Sequence, residues 1–560
     1  MTSIRHWWSD AVVYQLYVRS FADSNSDGKG DLAGIRSRLP YLQQLGVDAI
    51  WLNPCYPSPQ RDHGYDVSDY FDIEPDYGTL DDFDALVATA AEHGIKVLMD
   101  VIPNHCSDQH PWFQAALAAG PGSPERSRFW FRDGSGPDGS EPPNNWQSIF
   151  GGSSWSRVTE ADGTPGQWYL HMFDSAQPDL NWDHPDVPDM FDDMLRFWFD
   201  RGVEGIRADA VAVLGKEDGL PDYDPSDDQA EIGNENPYHT FHPSGHAAWR
   251  RWRTTVDRYI AEHPGRDPLL ICEAYTPDGE VLAQYVNEDE FDQCFSFGLM
   301  MVPWDTTRIR AEIDDVLETL LPRGLWPAWT LNNHDAQRAV TRRGRADAAT
   351  VTTGNNLLNS DAPVDLELGT RRARAMTLLA LALPGSIYLY NGEELALPEV
   401  LDLPADARQD PVFRRTEGRE LGRDGCRVPL PWTSDPDTAF GFSDEPGASP
   451  WLPQPADWSR YAADRQAAEP GSALNFYRAA IAKRRALDHF AGRELTWLDS
   501  GDDRVLAFAR GEVIVAINVS SEPVALSGAL ADADLAISSG GPVEGGLLPG
   551  DTAVWLQPRS

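Results

Sequence analysis

Along most of the chain, short continuous apolar runs alternate with longer stretches whose apolar positions recur at helical spacing. The runs at Val12–Val18, Ala49–Leu52, Val97–Val101, Gly205–Ala208, Leu269–Cys272, Cys294–Phe297, Pro327–Leu331 and Ser386–Tyr390 read as strands. Between them, Asp82–Glu92, Val187–Arg201, His246–Glu262, Arg308–Leu320 and Arg372–Leu381 read as helices. Alternation of this kind predicts a parallel sheet covered by helices, and its repetition predicts a closed (β/α)8 barrel, an α/β fold. A last helix near Ala473–Ala486 would close the barrel.

The rhythm breaks twice. The stretch from 103 to 181 is rich in Gly, Pro, Ser and Trp. It is too long for a structureless loop, so a small domain inserted after the third strand is expected. From about Phe490 the period becomes two, in Arg504–Ala509, Val513–Asn518 and Thr552–Leu556, which predicts an antiparallel β-sandwich. The expected division is therefore 1–102 and 182–489 for the barrel, 103–181 for the insert and 490–560 for the sandwich.

Composition narrows the function. The formal net charge is −42, a field that repels nucleic acid and anionic membranes and suits a neutral substrate. No apolar run approaches the roughly 18 residues of a membrane span. The start of the chain reads as a first strand rather than a secretory segment. Five widely spaced cysteines without a CxxC pair argue against a disulfide framework or a zinc site and fit the cytoplasm. No organic cofactor is indicated, and either a monomer or a homodimer is compatible. Most of the 20 tryptophans are expected to pack in the core or the insert.

Three segments carry the chemistry: Gly205-Ile206-Arg207-Ala208-Asp209, Glu273 and Asn333-His334-Asp335, each after a strand. Arg207 and Asp209 stand two apart, so their side chains share a face, while Ala208 and Cys272 face the helices. In a barrel, inward residues at strand C-terminal ends form the active site. Asp209 is the expected nucleophile, held ionised by the Arg207 guanidinium. Glu273 is the expected general acid/base, starting protonated in a partly desolvated site. Two carboxylates in these roles cleave glycosidic bonds.

These motifs resemble glycoside hydrolase family 13, the α-amylase superfamily, over nearly the whole chain. The matching segments are Asp100-Val101-Ile102-Pro103-Asn104-His105, the Arg207–Asp209 stretch, Glu273, Asn333-His334-Asp335 and Gln177-Pro178-Asp179-Leu180-Asn181. The Gln-initiated last motif looks like the oligo-1,6-glucosidase and α-glucosidase branch. The resemblance implies that Asp335 is a third carboxylate that stabilises the transition state. It implies that His105 and His334 bond the terminal glucose and that Tyr65 is the aromatic platform beneath it. Asp62 and Arg427 would pair at the closed end of a pocket, making the enzyme exo-acting on a small neutral oligosaccharide or α-glucoside. Ala210, where α-1,6 enzymes of the branch resemble one another in carrying valine, tilts the expectation to α-1,4 bonds. Phe150 and Phe173 are expected as further aromatic contacts.

Asp23, Asn25, Asp27, Lys29 (through its carbonyl) and Asp31 have the spacing of an EF-hand start, although Gly34 replaces the closing glutamate. The equivalent loop of related α-glucosidases implies a structural, non-catalytic Ca2+ or Mg2+. Alternatives on the same site are a trehalose synthase, a sucrose isomerase, an oligo-1,6-glucosidase or a strongly transglycosylating glucosidase. A non-catalytic relative used for protein contacts is the remote alternative.

Overall fold

A computed structural model describes residues 6–224, 236–346, 362–487 and 492–559. Eight parallel strands close into a barrel: Val12–Leu16, Ala49–Leu52, Lys96–Val101, Gly205–Ala208, Leu269–Cys272, Gln293–Ser296, Ala328–Thr330 and Ser386–Tyr390. Each strand pairs with its sequence neighbours, and the first pairs with the eighth in the register Val12↔Ile387. The strands and helices therefore lie where the apolar pattern puts them, with His246–Glu262 and Ala473–Ala486 matching at both ends.

Side-chain alternation divides the barrel strands into two cores. Val13, Ala49, Trp51, Leu98, Leu269, Ile271, Phe295, Ala328 and Tyr388 fill the interior. Their neighbours Ile50, Leu52, Val97, Met99, Ile206, Ala208, Leu270 and Cys272 face the surrounding helices. Register pairs Arg207 with Asp100 on one side and with Ile271 on the other, so the guanidinium shares the interior face, over the Trp51 ring. All five cysteines are buried and unpaired.

After the third strand the chain leaves the barrel. Phe131–Arg132, Pro165–Leu170 and Trp155–Thr159 form a small antiparallel sheet. Its core is Trp146, Trp155, Leu170 and Met172, with Leu220 from the segment after the fourth barrel strand. Bridges His105↔Asp179 and Phe129↔Leu180 tie the two ends of this excursion together. The C-terminal region packs a five-stranded antiparallel sheet against the pair Val524–Ala525 and Leu547–Leu548. The five-stranded sheet docks on the helix Leu366–Ala382, where the Trp555 indole N–H donates to the Leu378 carbonyl at 3.0 Å. The expected boundary at 490 falls among residues 488–491, outside the described residues. Among the described residues, no helix is long and apolar enough to cross a membrane.

Candidate active site

Asp209 and Glu273 directly follow the fourth and fifth strands, and Asp335 follows the seventh. The backbone carries the ladder one step further at each point. Asp209 N–H donates to the Val101 carbonyl at 2.8 Å and Glu273 N–H to that of Ala208 at 2.9 Å. Both side chains keep 14% exposure.

Arg207 holds the floor together. Its Nη1 donates to Asp100 Oδ1 at 2.8 Å and also to Asp209 Oδ1, and its Nη2 lies 3.9 Å from Glu273. Asp100 is further bonded by the Trp51 indole (3.2 Å) and the Tyr65 hydroxyl (3.0 Å). Three carboxylates thus surround one buried guanidinium. Burial pushes the Asp209 carboxyl up, Glu273 adds to this, and Arg207 opposes it. Burial pushes Glu273 up as well, against the pull of Arg207. Like charges at this spacing cannot all persist away from water, so the cluster retains a proton. Asp209 is bonded to Arg207, whereas Glu273 accepts the Ala210 N–H at 2.9 Å and stands farther from the guanidinium, making Glu273 the better seat for that proton. The Ala210 bond depends on a left-handed Ala210, φ +50°, which turns the chain sharply after Asp209.

His334 stacks on Tyr65 with ring centroids 5.3 Å apart and planes 3° apart. Gln15 Nε2 lies 2.7 Å from His334 Nδ1, and Tyr65 Oη lies 2.7 Å from Nε2. Because Gln15 Nε2 can only donate, the ring proton is assigned to Nε2. Burial holds this histidine neutral at ordinary pH and pulls His105 down to about 3. Burial alone would raise Asp335. His334, Arg423, Arg427 and Arg207 outweigh it and hold the carboxyl well below the usual range. With His334 neutral, the arginines supply that charge.

One pairing expected from the sequence is wrong. Arg427 does not meet Asp62; its Nη2 donates to Asp335 Oδ1 at 2.9 Å and its Nε to the His334 carbonyl at 2.9 Å. The partner of Asp62 is Arg423, four residues earlier, at 2.7 Å. Arg423 also donates to Asp335 Oδ1 at 2.9 Å and to Asp410 Oδ2 at 2.6 Å, bridging three carboxylates with one fork. The short 3-10 turn Asp424–Cys426 separates the two arginines, which share Asp335 Oδ1 and differ in their other partners. Nothing in sequence spacing marks Asp410, so choosing between the arginines required the fold.

The remaining wall joins the insert to the barrel. Gln177 Nε2 donates to Asp62 Oδ2 at 3.2 Å and lies 3.1 Å from His105 Nε2. Phe173 packs on His105 at 4.9 Å and on Phe150 at 5.5 Å, and the Arg423 guanidinium lies over the Phe150 ring. Asp62, Tyr65, His105, Phe150, Phe173, Arg207, Ala210, His334 and Arg427 are therefore brought together with the three carboxylates. Tyr275 was missed. Its ring is 47% exposed, stacks on Phe297 at 4.1 Å and accepts a bond from Asn333 Nδ2 at 3.2 Å. Its place two residues after Glu273 was the available signal.

In the Asp23–Asp31 loop, Asp23 accepts the N–H groups of Ser26 (2.7 Å) and Gly28 (2.9 Å), Asn25 that of Asp27 and Asp27 that of Lys29. Asp31 spends its oxygens on Ser24 and on Gly34, capping the helix Leu32–Leu45. No group of three or more His, Cys, Asp or Glu set for a metal ion occurs among the described residues. The remaining donors at Asp23, Asn25, Asp27 and the Lys29 carbonyl are all hard oxygens. Neither Asp23 nor Asp27 has an ion-pair partner among the described residues. The ninth position often reaches a cation through water, so the set fits Ca2+ or Mg2+ in kind.

A family model of the alpha-amylase catalytic domain matches residues 15–491. A probable alpha-glucosidase of Rhizobium meliloti (strain 1021) is 35% identical over 543 residues, 92% of this chain and 90% of that one. An oligo-1,6-glucosidase of Heyndrickxia coagulans is 33% identical over 558 residues, 92% and 93% of the two chains. Among solved structures, the trehalulose synthase MutB from Pseudomonas mesoacidophila MX-45 superposes with a TM-score of 0.84 at 30% identity, covering 99% of each chain.

Proposed function

The chain belongs to the alpha-amylase family, glycoside hydrolase family 13, and within it we propose a retaining, exo-acting α-glucosidase that releases α-glucose from short α-glucosides. The observation that carries this reading is the carboxylate floor around Arg207, walled on one side by Arg423 bridging Asp62 and Asp335. Desolvated charge pairs at a pocket wall are worth their cost where a sugar hydroxyl set replaces the lost water, which favours a substrate that ends there.

In this mechanism Glu273 gives its proton to the glycosidic oxygen while Asp209 attacks the anomeric carbon from the opposite face. The aglycone leaves as an alcohol and a β-glucosyl ester of Asp209 forms. Glu273, now ionised, takes a proton from water, whose oxygen displaces Asp209 and yields α-glucose. His105 and His334, both neutral, serve as hydrogen-bond partners of hydroxyls rather than as acids.

A second reading is transfer or isomerisation, in which a sugar instead of water captures the ester. The exposed Tyr275, stacked on the buried Phe297, supports it, because an aromatic residue two positions after Glu273 suits a sugar acceptor. Ala210 supports α-1,4 over α-1,6 preference through the small volume beside the nucleophile. Products from maltose, isomaltose, sucrose and trehalose, followed over time, test all of this. Maltose is expected to be hydrolysed fastest, with transfer products rising at high substrate. Faster cleavage of isomaltose would overturn the linkage assignment, and conversion of sucrose without free glucose would favour the isomerase.

The Asp23–Asp31 loop is assigned to a structural divalent cation, with no part in catalysis. Calcium added to chelator-treated protein is expected to raise the melting temperature, and Asp27→Ala to remove the increase. An unchanged melting temperature in wild type would exclude the site. The cytoplasm suits the five buried thiols, and a monomer or homodimer is proposed.

A further inference from the structure

Behind the seventh strand lies a second cavity, separate from the carboxylate floor. It is lined by Asn332, Arg338, Arg342, Arg343, Arg374 and Glu393 among others, with about 20 Å³ of free volume. Arg342 is only 5% exposed. Its Nη2 donates to the Leu331 carbonyl at 2.7 Å, but Nε and Nη1 have no partner. The Nε groups of Arg338 and Arg374 are also buried and unpartnered. Three arginines that line this space thus carry four unpartnered donor nitrogens, two of them on Arg342. None of the four lining arginines forms an ion pair with a carboxylate among the described residues.

The acid at the rim does not balance this charge. Glu393 is occupied by the Tyr477 hydroxyl (3.0 Å) and the Tyr390 N–H (3.2 Å), and burial pushes it up to about 7. Glu399, the other nearby acid, bonds the Arg338 N–H at 2.9 Å. Buried guanidinium donors left without partners carry an uncompensated desolvation cost. A negative ligand removes that cost better than water, because it satisfies both the donors and the excess charge. Capture from outside is opposed by the net charge of −42, so only a local cationic cluster would hold an anion here.

We propose that this cavity binds one small monovalent inorganic anion of the chloride class, held by Arg342 with Arg338 and Arg374. The volume admits one species of about water size and excludes phosphate esters and sugars. Arg342 anchors the short helix Ala339–Gly344 to the Leu331 carbonyl, and Asn332 accepts the Ala339 N–H at 2.6 Å. The ion would therefore brace the strand end that carries Asn333, His334 and Asp335. The inference does not depend on which glucoside the enzyme uses.

Thermal melting at fixed sodium concentration, with gluconate exchanged for chloride or bromide, tests it. The melting temperature is expected to rise and saturate with chloride and bromide, as for a ligand of the folded state, and to stay flat in gluconate. Arg342→Met is expected to lose the response. Crystals grown in bromide are expected to show an anomalous peak within hydrogen-bonding reach of the Arg342 guanidinium. A flat response in wild type, a response that survives in Arg342→Met, or water alone at the cavity in bromide crystals would each overturn the proposal. The wild-type melting and crystals decide the matter even if the variant fails to fold.

Discussion

Replacing Asp209 with Asn is expected to lower turnover of an aryl α-glucoside by on the order of 10⁴-fold or more while leaving the protein at least as stable at neutral pH. The two halves come from the same geometry. The amide cannot attack the anomeric carbon, so the covalent intermediate is lost. Stability behaves differently because burial and Glu273 push the folded-state carboxyl above its unfolded value. A raised carboxylate pKa means that ionised Asp209 costs folding free energy above the unfolded pKa, and this cost vanishes as pH falls below both values. Removing the charge removes the cost, although the Arg207 bond becomes weaker. Steady-state kinetics beside thermal melting at pH 7 checks both. Near wild-type turnover would sink the nucleophile assignment. A large fall in melting temperature would show instead that the Arg207 ion pair outweighs burial.

Arg423→Met is expected to have the largest combined effect of any single change outside the carboxylate pair. It removes the arginine partner of Asp62 and Asp410 and one of the two of Asp335, all three of which bond Arg423 within 2.9 Å. Breaking one buried pair by removing one partner costs about 3–5 kcal/mol, so a fork serving three acids should cost at least this much. Asp62 and Asp410 are each less than a tenth exposed and cannot recover water. Asp335 loses one of the two arginines that bond its Oδ1, so its carboxyl should rise. The acid limb of kcat/KM should then move to higher pH, since protonated Asp335 cannot stabilise positive charge. Arg427→Met removes one Asp335 bond and the His334 carbonyl contact but spares Asp62 and Asp410, and should cost less. Arg423→Lys should fall between, because an ammonium cannot reproduce the planar fork. Calorimetry and kcat/KM profiles for the three variants order them. Equal losses in the Arg423 and Arg427 methionine variants would contradict the fork geometry.

The barrel was legible because its strands are buried on both faces and its helices on one, a contrast visible in one dimension. The parity of Arg207 and Asp209 on a four-residue strand was enough to send both inward and Ala208 outward. Glu273 and Asp335 were legible as carboxylates directly beyond apolar runs. Tyr275 was partly legible, being two residues after Glu273, but its use depends on Phe297, just beyond the sixth strand, stacking against it.

Residue order along single strands thus determined the fold class, the inward carboxylates and the family to which the chain belongs. Only the tertiary structure decided which arginine meets Asp62, which arginines line one cavity with Asn332, and which turn carries Asp410 to Arg423. Those contacts join loops separated by up to hundreds of residues, as in the Asp62–Arg423 pair. A buried charge chooses its partner by where backbone turns leave unsatisfied oxygens in space, and spacing along the chain carries no record of that.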